Sequence, residues 1–181
     1  MMNILVLGTP DSGKSKKAED IVMSLSDPSQ RVYIATMIPF GEEGQERIKR
    51  HKKLREGKGF VTIEKQYNID QLLTDNKDEI SGKTCLLECI SNLVGNEMHL
   101  ESNRDLGDKE LTEKITDQVM KIAEESANLV IVSNRFEDDD SFDAETKRYV
   151  ALTNKVNDAL KEKVDQIYEL VKGEWVLSEH N

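Results

Sequence analysis

Asn3-Ile4-Leu5-Val6-Leu7-Gly8-Thr9-Pro10-Asp11-Ser12-Gly13-Lys14-Ser15 decides the fold. An apolar strand-like run, Ile4–Leu7, enters a loop of the form G-x-x-x-x-G-K-[ST], and a helical stretch, Lys14–Leu25, follows. Glycines let the backbone curl so that successive N–H groups face phosphate oxygens. The helix N-terminus behind the loop adds its positive end. Lys14 then reaches the β- and γ-phosphates, and the Ser15 hydroxyl is placed to ligate Mg²⁺. The segment Gly8, Thr9, Pro10, Asp11, Ser12, Gly13, Lys14 and Ser15 is therefore expected to bind a nucleoside triphosphate. The loop does not name the reaction.

Four further apolar blocks read as strands: Val32–Thr36, Thr84–Ile90, Leu129–Ser133 and Gln166–Val171. Phe60–Glu64 alternates and suits an edge strand, and Trp175–Leu177 is a short terminal candidate. Helical stretches fall at Lys14–Leu25, Glu42–Arg55, Ile69–Leu73, Lys109–Ser126 and Ala144–Lys163. Alternation of strand and helix requires crossover connections, hence a mostly parallel sheet. The expected fold is α/β: one P-loop domain over residues 1–181, with helices on both sheet faces.

The 181 residues carry 25 Lys+Arg against 35 Asp+Glu, a net charge of −10. Nucleic-acid affinity comes mainly from neutralised phosphates, so this acidic chain is a poor general binder of it. No apolar run approaches the ~18 residues of a membrane span, and Met1–Leu7 lacks the basic leader of a secretory signal. A cytoplasmic location is expected. Cys85 and Cys89 would stand about 13 Å apart in an extended strand, beyond disulfide reach. They read as buried thiols.

Two patches carry further chemistry. Residues 47–58 hold seven of the 25 basic residues, with His51 among them. Arg47, His51 and Arg55 share one helical face by their i, i+4, i+8 spacing, and Ile48 and Leu54 are expected to anchor that helix. Neighbouring cations favour a neutral imidazole, which is a nucleophile, and two arginines suit a polyphosphate electrophile. From spacing alone a solvated basic helix with an incidental histidine, or an import or nucleic-acid patch, stays open. In Leu86-Leu87-Glu88-Cys89-Ile90 one acid stands in an apolar run. It suits a Mg²⁺-holding carboxylate on a strand beside the phosphate loop, or simply a strand-end acid. The acidic run Glu137–Asp140 reads as a solvated loop, with a metal site or a partner edge as alternatives.

In order along nearly the whole chain, these features resemble the bifunctional adenosylcobinamide kinase and adenosylcobinamide-phosphate guanylyltransferase family. The resemblance rests on Gly8–Ser15, Tyr33-Ile34-Ala35-Thr36, Arg47-Ile48 with His51 and Arg55, and Phe60, Thr62 and Glu64. Leu86–Ile90 with Asn96, Val130–Asn134 and Val156-Asn157 complete it. It implies a RecA-like P-loop fold and two reactions. ATP or GTP phosphorylates the aminopropanol hydroxyl of adenosylcobinamide. GTP then supplies GMP to that phosphate through a guanylylated histidine, His51 by motif position. It further implies nucleotide contacts from Tyr33, Ala35, Thr36, Arg47, Arg55, Glu64 and Glu88, Mg²⁺ at Ser15 and Glu88, and a trimer with sites near subunit contacts. After Asn134 the chain departs from the family's Glu-Val-Gly, reading Arg135-Phe136-Glu137 into the acidic run. The rival readings are a diverged P-loop kinase or nucleotidyltransferase for another small acceptor, and a non-catalytic nucleotide-dependent regulator.

Overall fold

The computed structural model describes residues 1–180. Seven strands form one sheet: β1 (Met2–Gly8), β2 (Arg31–Ala35), β3 (Val61–Glu64), β4 (Thr84–Glu88), β5 (Asn128–Asn134), β6 (Gln166–Val171) and β7 (Glu174–Glu179). Their order across the sheet is β3-β2-β4-β5-β1-β6-β7. All neighbours pair in parallel except β6 and β7, which form an antiparallel hairpin. The helices are α1 (Lys14–Leu25), α2 (Gly41–Arg55), the single turns α3 (Leu72–Asp75) and α4 (Lys77–Ile80), α5 (Ile90–Met98), α6 (Asp108–Glu125) and α7 (Ala144–Lys161).

The two faces of the sheet follow from strand alternation. Leu5, Leu7 and Leu87 enter a large core with Leu93 and Val94 of α5, Ile115 of α6 and Leu152 of α7. Ile4, Val6, Leu86 and Tyr33 enter a smaller core on the opposite face with Ala18, Ile21 and Val22 of α1. Buried on both faces, β1, β4 and β5 read as nearly unbroken apolar runs. The expected strand at Phe60–Glu64 is found as β3, paired only to β2 at one sheet edge. Trp175–Leu177 lies within β7 at the other.

Two expectations are corrected. The run Thr84–Ile90 is not one strand. It stops at Glu88, and Ile90 opens α5, a helix the apolar run concealed. A short apolar run cannot be assigned to strand or helix by periodicity alone. The helical signal lay just downstream, in the buried spacing Ile90, Leu93, Val94, Glu97. Likewise Ile69–Leu73 is a 3₁₀ turn, Ile69–Gln71, leading into α3.

The departures after Asn134 make contacts of their own. The Arg135 guanidinium pairs with Glu169 and donates to the Leu170 carbonyl at 3.2 Å. Phe136 packs against Tyr149 with ring centroids 5.5 Å apart, and Asn154 Nδ2 donates to the Phe136 carbonyl at 3.2 Å. Glu137–Asp140 is exposed and lacks regular structure, as a solvated loop requires.

Candidate active site

The phosphate loop joins β1 to α1 at the carboxyl end of the sheet, where open α/β sheets bind ligands. Two of its residues have left-handed backbone: Asp11 at φ 56° and Gly13 at φ 84°. Only glycine reaches the latter without a Cβ penalty. Ser12 Oγ donates to the Thr9 carbonyl at 2.5 Å and Lys14 Nζ donates to the same carbonyl at 2.9 Å. Lys14 thus lies folded along its own loop. Burial lowers its pKa, opposed by the nearby Cys89, Glu88 and Asp11, while Arg47 lowers it further.

Glu88 is the last residue of β4 and is only 8% exposed. Strand alternation puts it on the α1 face with Leu86. One carboxylate oxygen accepts the Ser15 hydroxyl at the start of α1. The other accepts the Tyr33 hydroxyl at 2.6 Å, and His51 Nδ1 lies 3.9 Å from that same oxygen. Burial first, then the Glu88 charge and hydrogen bond, raise the Tyr33 phenol well above its ordinary pKa. Tyr33 therefore stays a donor. One carboxylate connects the phosphate loop, strand β2 and helix α2.

Arg47, His51 and Arg55 do share the face of α2 that lines the cleft. Their environments differ. Arg47 reaches the Asp11 carboxylate of the loop at 3.2 Å, an exposed pair of little energetic weight. Arg55 is buried, with its guanidinium carbon 3.5 Å from the Tyr33 ring centroid. It donates to Thr62 Oγ1 at 3.4 Å, and its Nη1 has no hydrogen-bond partner. An unpartnered buried donor at a cleft wall costs free energy unless a ligand oxygen meets it.

The expected anchoring of α2 is corrected. Leu54 is 43% exposed, and Ile48 is half-buried and lines the cleft with it. The helix is fastened at its C-terminal end instead. Arg55 stacks on Tyr33, Arg31 Nη1 donates to the Lys58 carbonyl at 2.7 Å, and Lys58 Nζ pairs with the buried Glu19 at 2.9 Å.

The cleft has a volume of about 340 Å³. Besides the residues above, Ala35 and Glu64 line it, at the carboxyl ends of β2 and β3. Thr36 stands apart from its expected role. It is fully buried, and its hydroxyl donates to the Cys89 carbonyl at 2.8 Å and accepts from the Cys89 N–H at 2.9 Å, which ties β2 to the end of β4. Gly8 is the last residue of β1, and Thr9 supplies the carbonyl on which the loop closes. Asn92, Met37 and Asn134 line the cleft without having been singled out as site residues. Asn92 lies on α5, which the apolar run through Ile90 conceals in the sequence. Both cysteines are free and buried; burial pushes Cys85 up to about 11 and also raises Cys89.

A hydroxyl and a carboxylate meeting beside a phosphate loop are hard oxygen donors of the kind Mg²⁺ takes along with phosphate oxygens and water. Ser15 and Glu88 fit that ion. Among the described residues no cluster of three or more His, Cys, Asp or Glu side chains is placed to hold a metal.

A sequence profile for cobinamide kinase / cobinamide phosphate guanyltransferase matches residues 4–177. The chain belongs to that family. The profile describes its members as cobinamide kinases and cobinamide phosphate guanyltransferases. A comparison with curated proteins gives no match. Solved structures show the fold. A prototypical ATPase of a type III secretion system from pathogenic bacteria aligns with TM-score 0.59 at 10% identity, over 94% of this chain and 51% of that one. A separately solved ATPase domain aligns with TM-score 0.60 at 11% identity, over 99% and 77%. The flagellar accessory protein FlaH of Methanocaldococcus jannaschii aligns with TM-score 0.53 at 13% identity, over 99% and 79%. The chain spans about half the length of the first of these. At such identities the likeness speaks for a RecA-like P-loop fold and nothing further. Among the described residues, no helix of this family member is long and apolar enough to cross a membrane.

Proposed function

We propose that the chain phosphorylates adenosylcobinamide with ATP or GTP and then transfers GMP from GTP to the product through a guanylylated His51. The observation that carries this reading is the position of His51. Its Nδ1 lies 3.9 Å from a carboxylate whose other oxygen accepts the phosphate-loop Ser15 hydroxyl. A nucleophilic imidazole and a phosphate loop thus share one cleft. In the first reaction the acceptor hydroxyl oxygen forms a bond to the γ-phosphorus, the bond to the β-phosphate oxygen breaks, nucleoside diphosphate leaves, and the hydroxyl proton is released to solvent. Lys14, released from the Thr9 carbonyl on which it now rests, would turn to the phosphates and offset the charge that grows on the transferred group. In the second, an imidazole nitrogen bonds to the α-phosphorus of GTP and pyrophosphate leaves. A phosphate oxygen of the acceptor then displaces the histidine, which restores the imidazole and joins GMP to the acceptor. Arg47 and the unpartnered Nη1 of Arg55 supply cationic donors to the phosphates. Ser15 and Glu88 would hold a Mg²⁺ ion, which would offset phosphate charge. Nucleotide and corrinoid are the substrates of this reading, and a trimer is its assembly.

Incubation with GTP and Mg²⁺, followed by peptide mass spectrometry, tests it. The expected outcome is a GMP adduct on His51 in the absence of acceptor, lost in His51→Ala, with phosphoryl transfer from ATP to cobinamide retained in that variant. An adduct on lysine, or none in protein shown to bind GTP, overturns the covalent step.

A further inference from the structure

A second cleft, about 630 Å³, opens beside the nucleotide cleft and shares two of its residues, Met37 and Asn92. It lies between the β2–α2 connection, α5 and Tyr149 of α7. Its rim is apolar and turned to solvent: Phe40 is 77% exposed and Tyr67 41%. Ile38 and Leu100 extend the apolar wall. Large aromatic side chains left in water at a concave site mark a binding surface more often than chance exposure does. Helix α5 bears a glycine, Gly95, at mid-helix on this cleft, where alanine would favour the helix more. A Cβ there would reach 3.4 Å from the Tyr149 ring, an ordinary contact. The fold therefore has room for a Cβ at Gly95, and what its absence preserves is the depth of the cleft.

We propose that this second cleft is the acceptor site, seating one edge of the corrinoid so that its hydroxyl arm crosses Met37 and Asn92 towards the phosphate loop. This rests on the bifunctional reading above. A corrinoid is a flat macrocycle with an apolar, methyl-bearing edge and amide arms. Its edge matches Phe40, Tyr67, Ile38 and Leu100, and its amides match Asn92 and His99 at the polar side of the cleft. The cleft is too small to enclose such a ligand, so the rest of it stays exposed. Only a site continuous with the nucleotide cleft lets the hydroxyl, and later the phosphate, reach the reacting phosphorus without the macrocycle entering the 340 Å³ space. Because two separate walls serve two ligands, acceptor and nucleotide affinities should be separable by mutation.

The test is a visible-absorbance titration of the full chain with cobinamide, with GTP binding and sedimentation velocity measured on the same preparations. Tyr67→Ala removes an exposed aromatic and should weaken cobinamide binding about tenfold, the equivalent of about 1.4 kcal/mol. Gly95→Leu fills the cleft and should weaken it further. In both, GTP affinity should match that of the parent. Cobinamide affinity unchanged in both variants overturns the site while leaving the function standing. Altered sedimentation in Tyr67→Ala would make the patch a contact between copies of the chain and also overturns it. Failure of the parent itself to bind cobinamide defeats the corrinoid reading, and this proposal with it.

Discussion

Glu88 shows how much one side chain can be asked to do. Its two oxygens meet a phosphate-loop hydroxyl, a phenol and, at longer range, an imidazole. Glu88→Gln preserves the shape and removes the charge. The amide keeps an acceptor oxygen, but its nitrogen only donates, and both hydroxyl partners currently donate to the carboxylate. The expected result is a higher Mg²⁺ requirement and a turnover reduced roughly 10- to 100-fold, the usual cost of disturbing groups around a metal. A Mg²⁺ titration at saturating nucleotide reads this out. Reduced turnover at an unchanged Mg²⁺ requirement would assign Glu88 to orienting His51 or the acceptor instead. Lys14 offers a second check at this scale. Lys14→Ala should abolish phosphoryl transfer and weaken triphosphate binding with the fold intact, as followed by nucleotide titration and circular dichroism; unchanged turnover would remove the lysine from the chemistry.

Helix α2 is where sequence and structure part most usefully. The shared face of Arg47, His51 and Arg55 was legible, because i, i+4 spacing is a property of any helix. What holds the helix was not. Its two aliphatic residues looked like anchors, yet Leu54 is 43% exposed and Ile48 lines the cleft. Arg55, apparently a surface cation, is the buried group, and its stacking partner Tyr33 is 22 positions away on another element. Long-range pairings of that kind leave no local pattern. A different limit hides α5, and with it Asn92: the short apolar run that ends β4 reads as strand or helix by periodicity alone. The strands and the phosphate loop were readable because burial on both faces and loop chemistry each impose a local signature. The turn that ends α2 gives a stability test. Gly59 has φ +81°, and a Cβ there would sit 2.5 Å from the Pro28 carbonyl oxygen. Gly59→Ala meets both backbone strain and a backbone clash, so it should cost about 2 kcal/mol or more. In a chain of this length that lowers Tm by about 4–8 °C in a thermal melt. An unshifted Tm would show that the turn relaxes freely.

In the molecule as a whole, a buried carboxylate stands behind the second cleft. Glu97 of α5 is fully buried. Its carboxylate accepts from the Asn68 N–H at 2.8 Å, from Gln118 at 3.2 Å and from Asn103, and pairs with Lys114 at 3.1 Å. It thereby ties the loop after β3 and helix α6 to the helix that follows Glu88. Glu97→Ala strands these donors together and should cost about 3 kcal/mol, measured by denaturant unfolding; a loss under about 1 kcal/mol would mean that water replaces the carboxylate at little cost. Such a scaffold keeps the carboxyl end of the sheet in place, and that end holds a single phosphate loop. The consequence is kinetic. If both proposed reactions draw on Lys14, one chain works on one triphosphate at a time, and ATP and GTP compete for the same seat. On the proposed mechanism, a chain occupied by ATP is not charging His51, and one carrying GMP has already spent a GTP. The partition between the two tasks is then governed by the relative supply of the two nucleotides as much as by the supply of acceptor.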